Sequence, residues 1–430
     1  MSKLSFSVWL LICAATVGAA RADSPRRSTP PNIILILSDD VGIGDVHCYG
    51  GPYNTPHIDA LAAGGMRFEY SYATPLCGPS RCQVLTGRYP FRTGLINNNR
   101  WHPTAARKKS FPDHEIMIPT MMKTAGYTSA SIGKWGQMKL DPGQWGFDEC
   151  LTYPGSGRYW REQTKYYTLN GKEQDLPSGK YLPDIMHRFL VDFIARHKDK
   201  PFFVYYPMTH IHDPILPTPD SGQETDRRRL YAANIEYMDK LVGQLIAELD
   251  HLHLREKTLV LFSGDNGSAG TAKVNGRAIN GYKGHLLEGG SRVPLIANWP
   301  GVTPAGTVNH DLTDFSDFFA TFAELGGAKL PTGVTLDSHS FAARLKGQKG
   351  SPRRWVYVEL DGKSYVRDAR FKLTNGGELF DLSDAPFQEI PLTGDTTETI
   401  AARARLQAVL DQHPAAPGDE TRGKKAAAKE

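Results

Sequence analysis

Three unbroken apolar runs, each closed by a polar cluster, constrain the fold of this chain more than any other feature. Residues 33–37 (IILIL) lead into Ser38, Asp39 and Asp40. Residues 202–206 (FFVYY) lead to His210 and His212, and residues 259–262 (LVLF) lead to Asp265, Asn266 and Gly267. A weaker fourth run, within YTSASIGKWG, precedes Lys134. Apolar runs without alternation belong to strands covered on both faces, as in a parallel sheet. Ligands in open α/β sheets bind beyond the carboxyl ends of the strands. If these strands are parallel neighbours, their polar clusters converge on one edge.

Helices fit between the runs. Residues 225–249 carry Ile235, Met238, Leu241, Val242, Leu245, Ile246 and Leu249 near helical spacing, which predicts a covering helix. Beyond residue 330 the pattern changes to short strand-like runs at 355–360, 364–368 and 370–374, broken by Asp-Gly and similar turns. These predict a small antiparallel sheet, closed by a helix at 401–410. A chain of 430 residues has room for two or three domains, or one large α/β domain with a satellite. The tail from Ala415 is rich in Pro, Ala, Lys and Glu and reads as disordered.

The N-terminus has a basic Lys3, an apolar run over 6–17 and the small-x-small sequence Ala20-Arg21-Ala22. That is the pattern of a secretory signal peptide cut after Ala22. An uncleaved anchor is the alternative, but the run is short for a span. The expectation is a soluble exported protein, periplasmic or secreted. A net charge of +4, spread along the chain, gives nucleic-acid binding little support and suits an anionic substrate.

Four cysteines follow the leader: Cys48, Cys77, Cys82 and Cys150. They are too few for a disulfide framework, although one bridge is possible, its connectivity open: Cys82 reads as an ordinary buried thiol or a partner for Cys48 or Cys150, and a structural Cys77–Cys82 bridge is a further reading. Cys77 opens CGPSRC, where Pro79 and Ser80 are residues favoured at helix starts. The segment through Val84 then reads as a helix opening with Cys77 at its N-terminus, a place that favours anionic oxygens. Arg81, four residues on, projects from nearly the same face. A structural cysteine is the competing reading. Asp39, Asp40, Asp265 and Asn266 form an all-oxygen set suited to calcium or magnesium and not to zinc. Adjacent strand residues face opposite ways, so Asp39 and Asp40 serve one ion only if the chain has left the strand, as Gly42 and Gly44 suggest. Each pair alone also reads as turn or cap residues.

CGPSRCQVLTGRYPFRTG resembles the signature of the type I, formylglycine-dependent sulfatases. PNIILILSDDVGIGDVHCYG, TPHIDALAAGGMRFEYSYA, GYTSASIGKWG, FSGDNG, GYKGHLLEGGSRVP and RFKLTNGGELFDLSD resemble further segments of that family, in order, over residues 31–384. The resemblance implies an alkaline-phosphatase-like α/β fold: a large mixed, mostly parallel sheet flanked by helices, plus a small C-terminal α+β domain with an antiparallel sheet. The expected division is a signal peptide at 1–22, a catalytic domain at 23–330, a small subdomain at 331–412 and a disordered tail at 413–430.

The resemblance also implies chemistry. Cys77 matches the cysteine that a formylglycine-generating enzyme converts to formylglycine. Asp39, Asp40, Asp265 and Asn266 match calcium ligands, with the modified Cys77 also touching the ion. Arg81 matches the arginine that fixes the formylglycine, and Lys134 and Lys283 the lysines that hold sulfate. His212, in His212-Asp213-Pro214, matches the histidine of the family's His-x-Pro motif, with His210 the lesser equivalent. One hydroxyl of the hydrated aldehyde would attack sulfur, with Asp265 as a base and His212 or Lys283 protonating the alcohol. The second hydroxyl would expel sulfate. The implied substrates are sulfate monoesters, sulfated carbohydrates above all.

The chain departs from the family in two places. Gly136 stands where a histidine usually follows Lys134-Trp135, leaving His210, His285 and Gln137 as candidates to assist expulsion. His285 stands where a small hydroxyl residue is common, and either contacts substrate or fills space. His47, His57 and His102 are weaker candidates, with His57 read as structural. Arg100, Trp101 and His102 lie in an Asn-rich loop that could line a sugar site. Two other functions compete: a formylglycine-dependent phosphonate or phosphodiester hydrolase, and a non-catalytic binder of sulfated glycans suggested by Gly136.

Overall fold

The run at 33–37 lies in a strand with neighbours on both sides and both faces covered. In the computed structural model, which describes residues 30–98, 100, 101, 115–135, 138 and 140–416, it forms β1 (Asn32–Ser38), whose seven residues are all buried. The other strands of its sheet are β2 (Met66–Tyr72), β3 (Thr128–Gly133), β4 (Glu149–Thr152), β5 (Tyr166–Leu169), β6 (Lys172–Asp175), β7 (Phe202–Met208), β8 (Thr258–Gly264), β9 (Leu295–Asn298) and β10 (Thr307–Asp314). The order across the sheet is β10-β2-β9-β8-β1-β7-β3-β4-β5-β6. β8, β1, β7, β3 and β4 pair parallel, while β9 and β5 run against the rest. The predicted mixed, mostly parallel sheet is the one observed.

Alternate residues of each central strand enter different cores. Ile34 and Ile36 join Val204, Tyr206, Val260 and Phe262 in one cluster. Ile33, Leu35 and Leu37 join Phe203, Tyr205, Leu259 and Leu261 in the other. Both sides are apolar, which is why these strands show no polar alternation. The helices of interest are α1 (Pro56–Ala63), α2 (Cys77–Thr86), α3 (Leu182–His197), α4 (Arg227–His251), α5 (Asp317–Gly326) and α6 (Thr397–Gln412). α3 and α4 cover the first face through Leu190, Phe193, Leu241, Val242 and Leu245. α2 and α5 cover the second through Val84, Leu85, Phe318 and Phe322. The predicted helix at 225–249 is α4. It begins two residues later because Asp226 caps it, accepting from the backbone N of Arg228 and Arg229.

The small sheet has strands β11 (Val356–Leu360), β12 (Lys363–Arg367), β13 (Phe371–Thr374), β14 (Leu379–Asp381) and β15 (Ile390–Pro391), all antiparallel. α6 closes it, placing Ala402, Leu406 and Leu410 against Tyr357, Val366, Phe371 and Leu373. The chain does not leave the large unit at residue 331, however. Phe341, Ala342 and Leu345 pack into the core beside β1, and Arg353 binds Asp317 of α5 at 2.7 Å. The start of the expected tail is also packed. His413 lies against Tyr89, Phe91, Trp355 and Tyr357, and the Ala416 backbone N donates to buried Glu359 at 2.7 Å. Residues 417–430 and the expected signal peptide lie outside the described residues.

Candidate active site

The carboxyl ends of β1, β8, β7 and β3 share one edge, and each delivers polar residues there. β1 delivers Asp39 and Asp40. Asp40 turns out of the strand in the left-handed region (φ 63°), which Asp tolerates better than most residues. That turn lets two adjacent carboxylates serve one place. β8 delivers Asp265 and Asn266, and its last residue, Gly264, packs against the turn so closely that a Cβ would lie 1.7 Å from the Val41 carbonyl O. β3 ends at Gly133 (φ 125°), where a Cβ would lie 2.2 Å from the Pro207 O, and Lys134 follows. β2 runs toward the same edge and leads into α2, so Cys77 begins that helix as predicted. Pro79 is its third residue, where a missing backbone N–H removes no helical hydrogen bond.

These side chains form one buried charge cluster. Lys134 Nζ lies 2.7 Å from Asp39 Oδ2 and 3.4 Å from Cys77 Sγ. Lys283 Nζ, on the loop before β9, lies 2.5 Å from Asp40 Oδ1. Arg81, fully buried, donates from Nε to Asp265 Oδ2 at 2.9 Å, with Nη2 2.7 Å from the same oxygen. Its Nη2 is also 3.6 Å from Asp39 Oδ1, and its Nη1 donates to the Lys134 O at 3.1 Å. Asp265 Oδ1 accepts from the Asp40 backbone N at 3.1 Å. Asn266 Nδ2 donates to Asp40 Oδ1 at 2.9 Å. Ligand-type atoms of Asp39, Cys77 and Asp265 lie within 4.8 Å of one another, and so do those of Asp39, Asp40 and His212.

Burial and neighbouring charge pull these groups in different directions. Burial raises the Asp39 carboxyl, but Lys134 and Arg81 overrule it and hold it well below the usual range. Burial and the Asp39 charge raise Asp265 despite Arg81. Burial raises the Cys77 thiol, partly offset by Lys134. Burial opposes the charge on Lys134, yet Asp39 holds its ammonium charged, and Asp40 does the same for Lys283. Two buried oxygens, Asp39 Oδ1 and Asn266 Oδ1, have no hydrogen-bond donor among the described residues. Oxygens from three carboxylates and an amide, two of them unsatisfied, fit a hard cation.

The chain matches the Sulfatase family over residues 31–328. It belongs to the sulfatase family. It is 33% identical to the N-acetylgalactosamine-6-sulfatase of Canis lupus familiaris, covering 93% of this chain and 82% of that protein. It is 31% identical to the arylsulfatase A of Homo sapiens, covering 95% and 91%. Among solved structures, that of Ps i-CgsB in complex with k-i-k-neocarrahexaose superposes with a TM-score of 0.78 at 26% identity, covering 92% of this chain and 96% of that one. The chain is a sulfuric ester hydrolase, with the fold of its family.

Not every residue singled out in this sulfatase reaches the cluster. His212 does, and its Nδ1 lies 2.7 Å from the Asp213 carbonyl O. His210, two positions earlier, is buried among the rings of Tyr159, Tyr181 and Tyr237, and burial pushes its imidazole down to about 3. Its nitrogens have no partner among the described residues. His285 is half-buried and packs on Tyr282 with ring centroids 4.1 Å apart. His47 pairs with Asp59 at 2.7 Å, and the His57 backbone N donates to Asp239, as a structural residue would. Gly136, Gln137 and His102 lie outside the described residues, as do the side chains of Arg100 and Trp101. Among the described residues no disulfide forms, and Cys82 lies buried in the core beside Val84 and Leu85. Sequence reasoning missed Asn98. Its Nδ2 lies 3.4 Å from Cys77 Sγ and its Oδ1 accepts from the Gly78 backbone N at 2.9 Å, capping α2 from a distant loop. One Asn in the run Asn97-Asn98-Asn99 carries no signal that could have singled it out.

Proposed function

We propose that this sulfatase hydrolyses sulfate monoesters of carbohydrates, with Cys77 converted to formylglycine and calcium held by Asp39, Asp40, Asp265 and Asn266. The observation that carries the reading is the convergence of three carboxylates, an amide and two lysines in one cluster, with Lys134, Asp39 and Asp265 next to the Cys77 Sγ. The Cys77 thiol stands where the aldehyde would be. With residue 77 so modified, its hydrated aldehyde would supply an oxygen nucleophile and a second hydroxyl. Held by those four side chains, calcium would supply positive charge to offset that of the sulfate.

The chain's own residues account for the remaining tasks. Lys134 and Lys283 remain charged in a buried place and would bind sulfate oxygens, most strongly as charge develops in the transition state. Arg81 orients Asp265 through two contacts on one oxygen and links it to Lys134. His212 donates from Nδ1 to the Asp213 carbonyl, so Nε2 is left to carry a proton to the departing alcohol. Asn98 holds the side chain of residue 77 in place. His210 packs among tyrosines and is given no step. His285 lies beside Lys283 and Tyr282 and is assigned to the substrate side.

The carbohydrate assignment is supported by relatives that act on or bind sugars and by two cavities, one lined by Lys134 and Tyr153, the other by Asp213 and Ser268, chain neighbours of His212 and Asn266. The leader at 1–22 and the family resemblance support export and maturation by a formylglycine-generating enzyme. No helix among the described residues is long and apolar enough to cross a membrane. We take the catalytic unit to run from 23 past residue 330 through Arg353, with the small sheet and α6 as its C-terminal subdomain. The test is the mass of the Cys77 peptide, followed by sulfate release from defined sulfated sugars with calcium and with chelator. An aldehyde-bearing, calcium-loaded protein that releases no sulfate from any ester would overturn the reading.

A further inference from the structure

The two cavities beside the cluster differ in charge. The one on the Lys134 side, about 550 Å³, is walled by Tyr153, Tyr166, Leu140 and Pro142. Its carboxylate, Asp141, accepts from the Gly143 backbone N and from Cys150, and Lys134 is the cation among its described lining residues. The second, about 580 Å³, begins one residue from His212, at Asp213, and two residues from Asn266, at Ser268. Either volume holds a sugar unit.

The acidic groups of the second cavity are already satisfied. Asp213 is paired with Arg227 at 2.8 Å. Asp45 is buried and accepts from the Gly42 backbone N at 2.8 Å, Ser268 Oγ at 2.5 Å and the Tyr231 hydroxyl at 3.0 Å. Two further cations line the space, Arg228 and Lys273, and neither makes an ion pair among the described residues. Both sit on ordered backbone. Arg228 is in the first turn of α4, with its backbone N bonded to the Asp226 cap. Lys273 begins the short hairpin Lys273–Val274 and Arg277–Ala278, which packs on Gly44 so closely that a Cβ there would lie 2.7 Å from the Ala272 Cβ. Tyr53 and Tyr231 add an aromatic wall, with centroids 5.5 Å apart and planes tilted by 53°. An aromatic wall with two uncompensated cations is the chemistry of a site for an anionic sugar.

We infer that this cavity is a subsite for a saccharide unit bearing a second negative group, a sulfate or a carboxylate, held by Arg228 and Lys273 beside Tyr53 and Tyr231. The inference rests on the carbohydrate sulfatase reading and extends it: the preferred substrate carries at least two anions, and the cleaved sulfate lies at the Lys134–Lys283 cluster.

The test compares the wild type with the double variant Arg228→Ala/Lys273→Ala on an aryl sulfate, a disulfated disaccharide and a monosulfated disaccharide containing a uronate. The readout is kcat/KM on each sugar divided by kcat/KM on the aryl sulfate. Two exposed ion pairs at up to about 1 kcal/mol each predict a fall in that ratio of roughly five- to thirty-fold. A fall with the disulfated sugar alone assigns a sulfate, and with the uronate alone a carboxylate. The charge-keeping variant Arg228→Lys/Lys273→Arg should recover most of the loss, whereas a folding defect would not be recovered this way. Calorimetric binding of the same two disaccharides to both proteins reads the subsite independently of turnover. If the wild type cleaves none of the three esters, the sulfatase reading fails and calorimetry alone judges the subsite. Unchanged ratios and unchanged binding for both sugars overturn the inference.

Discussion

Arg81→Met keeps most of the side-chain volume and removes the charge. Arg81 is fully buried, touches Asp265 Oδ2 at 2.7 and 2.9 Å, and lies 3.6 Å from Asp39. Without it, two buried carboxylates lose a shared cation while Asp265 keeps only the Asp40 backbone N among these contacts. Removing one partner of a buried pair costs about 3–5 kcal/mol, a large share of a total stability of roughly 5–15 kcal/mol. The proposed calcium would change the outcome. A cation bound at the same carboxylates replaces the lost charge, and the variant gains more from binding than the wild type because no guanidinium repels the ion. Urea unfolding in chelator should show the full loss, and unfolding in saturating calcium less than about half of it. A loss below about 1 kcal/mol in chelator, or an equal loss with and without calcium, would refute the assignment of Arg81 as the compensating charge of this site.

Asn98→Ala removes the amide beside residue 77 and uncaps the Gly78 N–H, and a deleted half-buried hydrogen bond beside the proposed nucleophile predicts a loss in kcat of roughly ten-fold, measured on an aryl sulfate. Gly264→Ala forces a Cβ onto the Val41 carbonyl, so the turn bearing Asp39 and Asp40 must shift; a large drop in melting temperature with loss of activity is expected, and wild-type behaviour would refute the packing argument. Glu359 is buried, accepts from the backbone N of Phe91 and Ala416, and has its carboxyl pushed up to about 8 by burial. A raised carboxyl contributes its stability fully below its unfolded value near 4.5 and loses it as pH rises through about 8. Stability should therefore fall over that window, and Glu359→Gln should flatten the fall; an unaltered pH profile would count against it.

The site was legible in part because its residues end strands that are easy to see. Strands β1, β7 and β8 are buried on both faces, so their apolar runs are unbroken and the polar residues after them stand out. The resemblance of the segment around Cys77 to the sulfatase signature then pointed to that residue as the proposed nucleophile position. β5 and the edge strand β6, at one end of the sheet, are partly exposed and carry no such run, and their place in the sheet was not legible. The packed start of the tail was missed for a related reason. His413 and Ala416 are held by Glu359 and a cluster of rings distant in sequence, against a local composition that reads as disordered.

What the sequence by itself determined is a set of local facts: which runs must be buried, where strands end, which residue types stand at those ends, and which family they resemble. The strand order that places Asp39 beside Asp265, the buried clamp of Arg81 on that pair, and the capture of Cys77 by Asn98 were decided only in the tertiary structure. So was the separation of His210 from His212, two positions apart on one segment: one is buried among tyrosines and the other faces the carboxylates. The physical reason is that hydropathy acts within a few residues, whereas a buried charge is satisfied by whatever the fold brings within about 3 Å of it, regardless of distance along the chain.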